Sequence, residues 1–347
     1  MIVVNIFGKK EPIVISKKLG ITLSNLPQDW QEGLIETMKE EIYYREYDIM
    51  KYNDLENMEP YSVKKIVEHK NFSGIFNPGN EDYLKEIASK LICVSIDDFE
   101  NSMLQKKNSF LDSPTCEIEF GEKWIKLYEF LTRSHYNNKN WIPMISIYSS
   151  EKSLFEKTHV LRSIYAEMSL NIKVSPIIVN QMRIDNLLDF GEMIDSFLVN
   201  EENFYMLDYI LTAITDDSNY NAYHLFKNYS LIEMIIGKED FNDPVKYDEK
   251  FAFFIDSDSY GSNEEKKKLF AKLTRQIRNK IAHGDFVGVR KKLEKYATCF
   301  MKNYQFDYFE YSRENWIYLN ICCELDRILT NAIWGLLSKS NFSRNIK

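Results

Sequence analysis

Residues 269–286 read LFAKLTRQIRNKIAHGDF. Leu269, Phe270, Leu273, Ile277 and Ile281 recur there at helical spacing, and at about 100° per residue they fill one arc of a helix. Arg275, Arg278, Asn279, Ala282 and His283 fall on the opposite arc, roughly 140° wide by the same geometry. Gly284 stands where a helix C-terminus favours glycine. A helix over 264–283 is expected, packing with one side and offering two arginines, an amide and an imidazole with the other. An arginine fork suits a phosphate, and an imidazole moves protons near neutral pH.

Charge concentrates around the same stretch. The chain has 44 Lys and Arg against 52 Asp and Glu, a net of −8. Residues 264–295 hold eleven cations (Lys266, Lys267, Lys268, Lys272, Arg275, Arg278, Lys280, Arg290, Lys291, Lys292, Lys295) and four acids (Glu264, Glu265, Asp285, Glu294). That window is 11 − 4 = +7, leaving −15 for the remainder. A basic island on an acidic protein is the footprint of a polyanion site, with Lys272, Lys280 and Arg290 the cations expected on the polyanion. The alternative is an ordinary solvated lysine face.

Length and composition set the frame. With 347 residues, 44% hydrophobic and 14% aromatic, the chain supports two domains or one large one. The densest apolar run, Phe251–Ile255, is far shorter than the roughly 18 residues of a membrane span, so no membrane partner is expected. The five cysteines make no CxxC pair and are odd in number. Unpaired thiols in a reducing compartment account for them, and a cytoplasmic, soluble protein is the expectation.

The fold class expected is α+β, a mixed region over 1–199 followed by an all-α domain over 200–347. Ile2–Phe7, 12–15, Leu91–Ile96, 115–120, 143–148 and 174–179 read as short strands. Residues 28–47 and 154–169 have helical periodicity, and Asn77-Pro78-Gly79-Asn80 reads as a turn. Further on, 204–215, 221–236, 264–283, 289–303 and 313–338 read as helices joined by polar loops, the longest being 238–262.

One carboxylate stands out in the helical part. Glu233 shares a helix face with Leu225, Phe226, Tyr229, Ile232 and Ile236. A carboxylate aimed into an apolar layer requires a cation, and Arg278 or Arg275 is the expected partner. The alternative places Glu233 at the edge of the stripe, reaching water.

The segment 278–284, Arg-Asn-Lys-Ile-Ala-His-Gly, resembles the signature of the HEPN superfamily: an arginine, four to six residues, then a histidine. Residues 269–286 look like the motif helix of the Apea-like HEPN group, including the small polar residue after the arginine (Asn279) and the His-Gly ending. Residues 222–237, AYHLFKNYSLIEMIIG, resemble that group's earlier core helix with its glutamate, and 315–337 its closing helix. The resemblance covers roughly the last 140 residues. It implies an all-α HEPN-like bundle, Arg278 and His283 as a catalytic pair, and Glu233, Asn279 and Arg275 in support. It implies a metal-independent endoribonuclease without a cofactor, leaving a 2′,3′-cyclic phosphate and a 5′-hydroxyl. It further implies a homodimer with one site built from two motifs, and a toxin or antiviral abortive-infection role. A catalytically silent HEPN module for dimerisation and RNA binding is the alternative, and the first 199 residues are open to a sensing or regulatory role.

Geometry agrees that one motif is a poor pocket, because five residues of helix set Arg278 and His283 about 140° apart. Either the last turn opens at Gly284, or a second motif faces the first; His283 otherwise simply caps a helix end. Other candidates are weaker. His69, His135, His159 and His224 have no metal-ligand spacing. Asp216-Asp217 and Asp256/Asp258 read as solvated turns, Cys322-Cys323 as structural, and Tyr304, Phe306 and Tyr308 as packing rather than base-stacking residues.

Overall fold

A computed structural model describes residues 2–8, 11–51, 81–96, 114–133, 146–148, 176–215, 219–236, 243–255, 263–302 and 310–342. The described residues divide into two compact units, the first ending at Glu202 and the second beginning at Asn203. The chain is α+β: helices dominate, and one sheet lies in the first unit.

In the first unit, β1 (Ile2–Phe7), β2 (Ile13–Ser16), β3 (Ile21–Asn25), β4 (Leu91–Ile96) and β5 (Ser146–Tyr148) form one sheet in the order β2-β3-β4-β1-β5. All four pairings are antiparallel, with Ile2 opposite Val94 and Leu23 opposite the same residue from the other side. Leu91, Ile92, Cys93 and Val94 are all buried. Both faces of β4 are therefore covered, which is why it reads as a continuous apolar run rather than an alternating one.

Four helices accompany the sheet: α1 (Gln28–Lys51), α2 (Glu81–Lys90), α3 (Pro114–Arg133) and α4 (Pro176–Phe197). Helix α3 packs on β4, β1 and β5, while α4 packs on β2 and β1. Two strand expectations fail here. Residues 115–120 lie in α3, although Thr-Cys-Glu-Ile-Glu-Phe alternates like a strand. Phe120, Trp124, Leu127 and Leu131 are buried at spacings of four, three and four, and this longer helical period wins over the local alternation. Residues 176–179, Pro-Ile-Ile-Val, open α4. Proline at the first helical position lacks only an N–H that no helix would use there, and Ile184, Leu187, Ile194 and Phe197 give the buried stripe. Strand β3 and helix α2 were not anticipated. Residues 77–80, 154–169 and the histidines at 69, 135 and 159 lie outside the described residues.

Helix α4 is locked to the β2–β3 hairpin at two points. A Cβ on Gly191 would lie 2.0 Å from the carbonyl oxygen of Ile15. One turn on, Asp195 accepts from the Ser16 hydroxyl and from the backbone N–H groups of Lys17 (2.8 Å) and Lys18 (3.2 Å). The carboxylate thus satisfies donors that the hairpin turn cannot pair itself.

The second unit contains α5 (Asn203–Thr215), α6 (Ala222–Ile236), α7 (Pro244–Phe253), α8 (Glu264–Ala282), α9 (Phe286–Phe300) and α10 (Glu310–Phe342). Helix α6 packs along α10; α8 contacts α6, α7 and α9, and α9 contacts α10. Leu225, Tyr229, Phe251, Phe270, Leu273, Ile277, Tyr296 and Leu325 are buried in its core. Tyr229 stacks on Phe251 with centroids 5.1 Å apart. Helix α7 overturns the expectation of a loop over 238–262. Asp243 caps it, accepting from Val245 N and Lys246 N, and Pro244 takes the first helical position. Read as loop punctuation, Asp-Pro is equally a helix start. Helix α9 begins three residues earlier than expected because Asp285 caps it.

Gly191→Ala is expected to cost about 1–3 kcal/mol through overpacking, and Asp195→Ala a similar amount through orphaned backbone donors. Thermal melting of the two variants checks both, and a parental Tm for Gly191→Ala would contradict the close approach of α4 to β2.

Candidate active site at the end of helix α8

The end of α8 is built by a sharp corner. His283 is the C-cap, and Gly284 follows at φ +67°, the left-handed conformation that glycine tolerates best. Gly284 N–H donates to Ile281 O (3.0 Å) and Asp285 N–H to Lys280 O (2.9 Å), the paired closure of a Schellman motif. Asp285 then turns the chain into α9. Its carboxylate accepts from Gly288 N at 2.8 Å and from Lys280 Nζ at 2.7 Å. The Lys280 bond first, and the Gly288 N–H second, hold the Asp285 carboxyl below the usual carboxylate range. A Cβ on Gly288 would meet Asp285 Oδ2 at 2.5 Å, so a larger residue there would push the capping carboxylate aside.

The arginines do not stand on an open solvent face. They flank it and reach across to neighbouring helices. Arg278 donates to Glu233 of α6 and, at 3.1 Å, to the side chain of Asn279. Its guanidinium carbon lies 5.6 Å from the Phe226 ring centroid and 5.9 Å from that of Tyr229. The side chains of Arg278 and Glu233 keep 24% and 17% of their exposure. The cation beside Glu233 is therefore Arg278, held by charge and by two aromatic faces. Arg278 Nε is buried with no hydrogen-bond partner among the described residues.

Arg275 goes elsewhere. It forks onto Asp248 of α7, with Nε–Oδ1 and Nη2–Oδ2 both 2.8 Å. Burial pushes the neighbouring phenols of Tyr229 and Tyr247 above their usual range, so both stay neutral and neither serves as a base. Asp248 escaped sequence reasoning because its helix passed for a loop. Its signal was a carboxylate one residue after Tyr247 and three before Phe251, on a proline-started helix. The rings of Phe226 and Tyr229 were read only as core, yet they also form the bed of Arg278.

His283 is exposed, as are Ala282 and Gly284, and no hydrogen bond or ion pair holds its ring among the described residues. Glu233, Arg278 and Asn279 form one cluster; Arg275 joins a second, and His283 stands apart on the corner. The basic island is smaller than its sequence suggests. Lys280 is tied to Asp285, Lys268 to Glu249 (2.8 Å), and Arg290 lies 3.7 Å from Glu314. Four acids from outside the window (Glu233, Asp248, Glu249, Glu314) and one cation (Arg313, on Glu294) face it, so +7 falls to 7 − 4 + 1 = +4. Lys266, Lys272, Lys291 and Lys295 are exposed and enter no ion pair among the described residues.

A second polar cluster joins α6 to α10. His224 Nε2 lies 2.7 Å from Asp326 Oδ1, and Asn228 donates to the same carboxylate. Burial pushes the Cys322 thiol, and less strongly that of Cys323, above the usual range, which leaves neither as a nucleophile. Among the described residues no three His, Cys, Asp or Glu side chains are grouped to hold a metal ion. No described helix is long and apolar enough to cross a membrane. Asp216, Asp217, Asp256, Asp258, Tyr304, Phe306 and Tyr308 lie outside the described residues. No family model, curated protein or solved structure matches the chain.

Asp248→Ala leaves Arg275 without its acceptor and is expected to cost about 1–3 kcal/mol. In a double-mutant cycle with Arg275→Ala, chemical denaturation should give a coupling energy of at least about 0.5 kcal/mol. Strict additivity would show that the fork contributes nothing.

Proposed function

We propose that the second unit is a HEPN-type, metal-independent endoribonuclease acting through Arg278 and His283. One observation carries the proposal: a pre-oriented arginine sits five residues before an exposed, unbonded histidine that caps the same helix at a closed corner. Arginine has five donor hydrogens. Two are committed to Glu233 and Asn279 and one is on the buried Nε, which leaves two, one on each terminal nitrogen. Those two remain for the non-bridging oxygens of a phosphate. Glu233 and Asn279 position Arg278 rather than touch substrate.

In the proposed reaction the RNA 2′-hydroxyl attacks its own 3′-phosphorus. One His283 imidazole accepts the hydroxyl proton, the bond from phosphorus to the 5′-oxygen breaks, and that oxygen takes a proton from the protonated His283 of the facing copy. A 2′,3′-cyclic phosphate and a 5′-hydroxyl result, and Arg278 offsets the charge that builds on the phosphorane. Because Arg278 and His283 diverge around α8, a facing second copy supplies the missing half of the site, making the protein a homodimer. Lys272 and Arg290 attract the RNA; Lys280 serves the corner first, through Asp285. The thiols of Cys299, Cys322 and Cys323 suit a reducing cytoplasm. A toxin or abortive-infection role follows from the HEPN resemblance; residues 1–199, which the resemblance does not cover, are left to a sensing or regulatory role.

A second reading has its own support. Arg278 is so fully engaged by Glu233, Asn279 and two rings that a silent RNA-binding HEPN module would keep it for packing alone.

His283→Ala separates the two. Its side chain is exposed, so Tm should stay parental while cleavage of total RNA in EDTA falls by about 10²–10⁴. Arg278→Ala is a poorer control, since it also strands Glu233 in a half-buried position. Parental protein that leaves RNA intact, or a His283→Ala variant that cuts like the parent, removes the catalytic reading. When parent and His283→Ala/Arg278→Ala protein exchange subunits, activity should follow the square of the parental fraction. Activity proportional to that fraction would mean that each chain carries a complete site.

A further inference from the structure

Beyond the corner, α9 carries an exposed face that the catalytic proposal does not use. Phe286 and Val287 open the helix with 65% and 67% of their surface exposed. An apolar pair left this open on a charged helix needs a reason. Four residues on, Arg290 and Lys291 are exposed, and four further on Lys295 is exposed beside Glu294. Positions four apart are neighbours on a helix surface, with about 6 Å of rise between them. The face therefore presents an aromatic ring three residues from His283, then a cation at each successive turn.

Beside that face, a groove of about 610 Å³ runs between α9 and α10, lined by Arg290, Lys291, Leu293, Arg313 and Ile317 with Glu294 and Glu314. Arg313 forks onto Glu294 at 3.0 and 2.8 Å. The two acids hold their arginines and repel a phosphate seated deep between them. A flat base fits the groove, and its phosphate belongs outside, on Lys291 and Lys295.

We infer that the exposed face of α9 is a track for single-stranded RNA, with Phe286 the platform on which an unpaired base stacks beside His283. The α9–α10 groove takes a base farther along the strand. Aromatic faces alternating with cations bind unpaired strands because every base has a π-face, whereas a duplex has its bases already stacked. The corner sets the platform: Asp285 and Gly288 hold the first turn of α9, so Phe286 is offered at a fixed height over the end of α8. The location beside the scissile phosphate rests on the ribonuclease proposal, but the track itself is tested by binding alone.

Full-length His283→Ala protein is titrated, by fluorescence anisotropy, into an unstructured fluorescein-labelled RNA of about 12 nucleotides and into its duplex. The single strand should bind at least several-fold more tightly. Phe286→Ala should weaken it by about tenfold or more, and Phe286→Trp should restore it. Lys291→Ala and Lys295→Ala should each lower the slope of log K against log salt by roughly 0.7, whereas Lys266→Ala, at the far end of α8, should leave it unchanged. Equal affinity for the duplex, parental binding by Phe286→Ala, or an equal slope change from Lys266→Ala overturns the track. A dimer that dissociates on Phe286→Ala assigns the patch to a second copy and overturns it as well. Parental protein that cuts no RNA yet binds the strand in this way refutes the catalytic proposal and upholds the track.

Discussion

A carboxylate on the apolar side of a helix is the constraint from which the second unit takes its form. Glu233 lies on the face of α6 that carries Tyr229 and Ile232, where an unmatched charge would cost several kcal/mol. Arg278 meets it from α8, and the rings of Phe226 and Tyr229 lie under the guanidinium. This contact fixes how α6 and α8 face one another. It also leaves Nε buried, away from water. Arg275 and Asp248 repeat the arrangement between α8 and α7, so α8 is held on two sides by charge as well as by its buried apolar stripe.

The same constraint separates two kinds of residue on one helix. Arg278 is rigid, half-buried and multiply bonded, while His283 is exposed at a corner and bonded to nothing described. A phosphate clamp benefits from the first state, because a pre-oriented fork loses little entropy on binding. A proton carrier needs reach more than rigidity, and the C-cap position provides it. The division bears on the choice between catalyst and silent module: packing accounts for Arg278 and helix capping for the place of His283, so the choice turns on what the exposed ring does.

How much was legible depended on how local the signal was. Helix α8 was readable over nearly its full length because Phe270, Leu273 and Ile277 repeat at helical spacing and Gly284 ends it. The need of Glu233 for a cation was readable too, but not the choice of Arg278 over Arg275, which rests on the packing of α6 and α7 around α8. Asp248 was invisible once Asp243-Pro244 had been taken for a loop. Helix α3 was hidden by six alternating residues at its start, and its true period emerges only when the window extends to Leu131. The size of the basic island was misjudged for a related reason. Glu233, Asp248, Glu249 and Glu314 lie outside the window in sequence and against it in space.

The corner between α8 and α9 divides its neighbours by how freely they can vary. Gly284 is bound by its backbone angle, Gly288 by the carboxylate against it, and Asp285 by two partners at once. Substitution at Gly284 strains the backbone, and at the other two it disturbs the cap of α9. Phe286 and Val287 touch so little that almost any side chain could replace theirs without changing stability. Drift at this end of the protein is thus confined to two adjacent positions next to His283. Selection acting on ligand preference would find its least obstructed route there, free of the stability losses that accompany change elsewhere at the site.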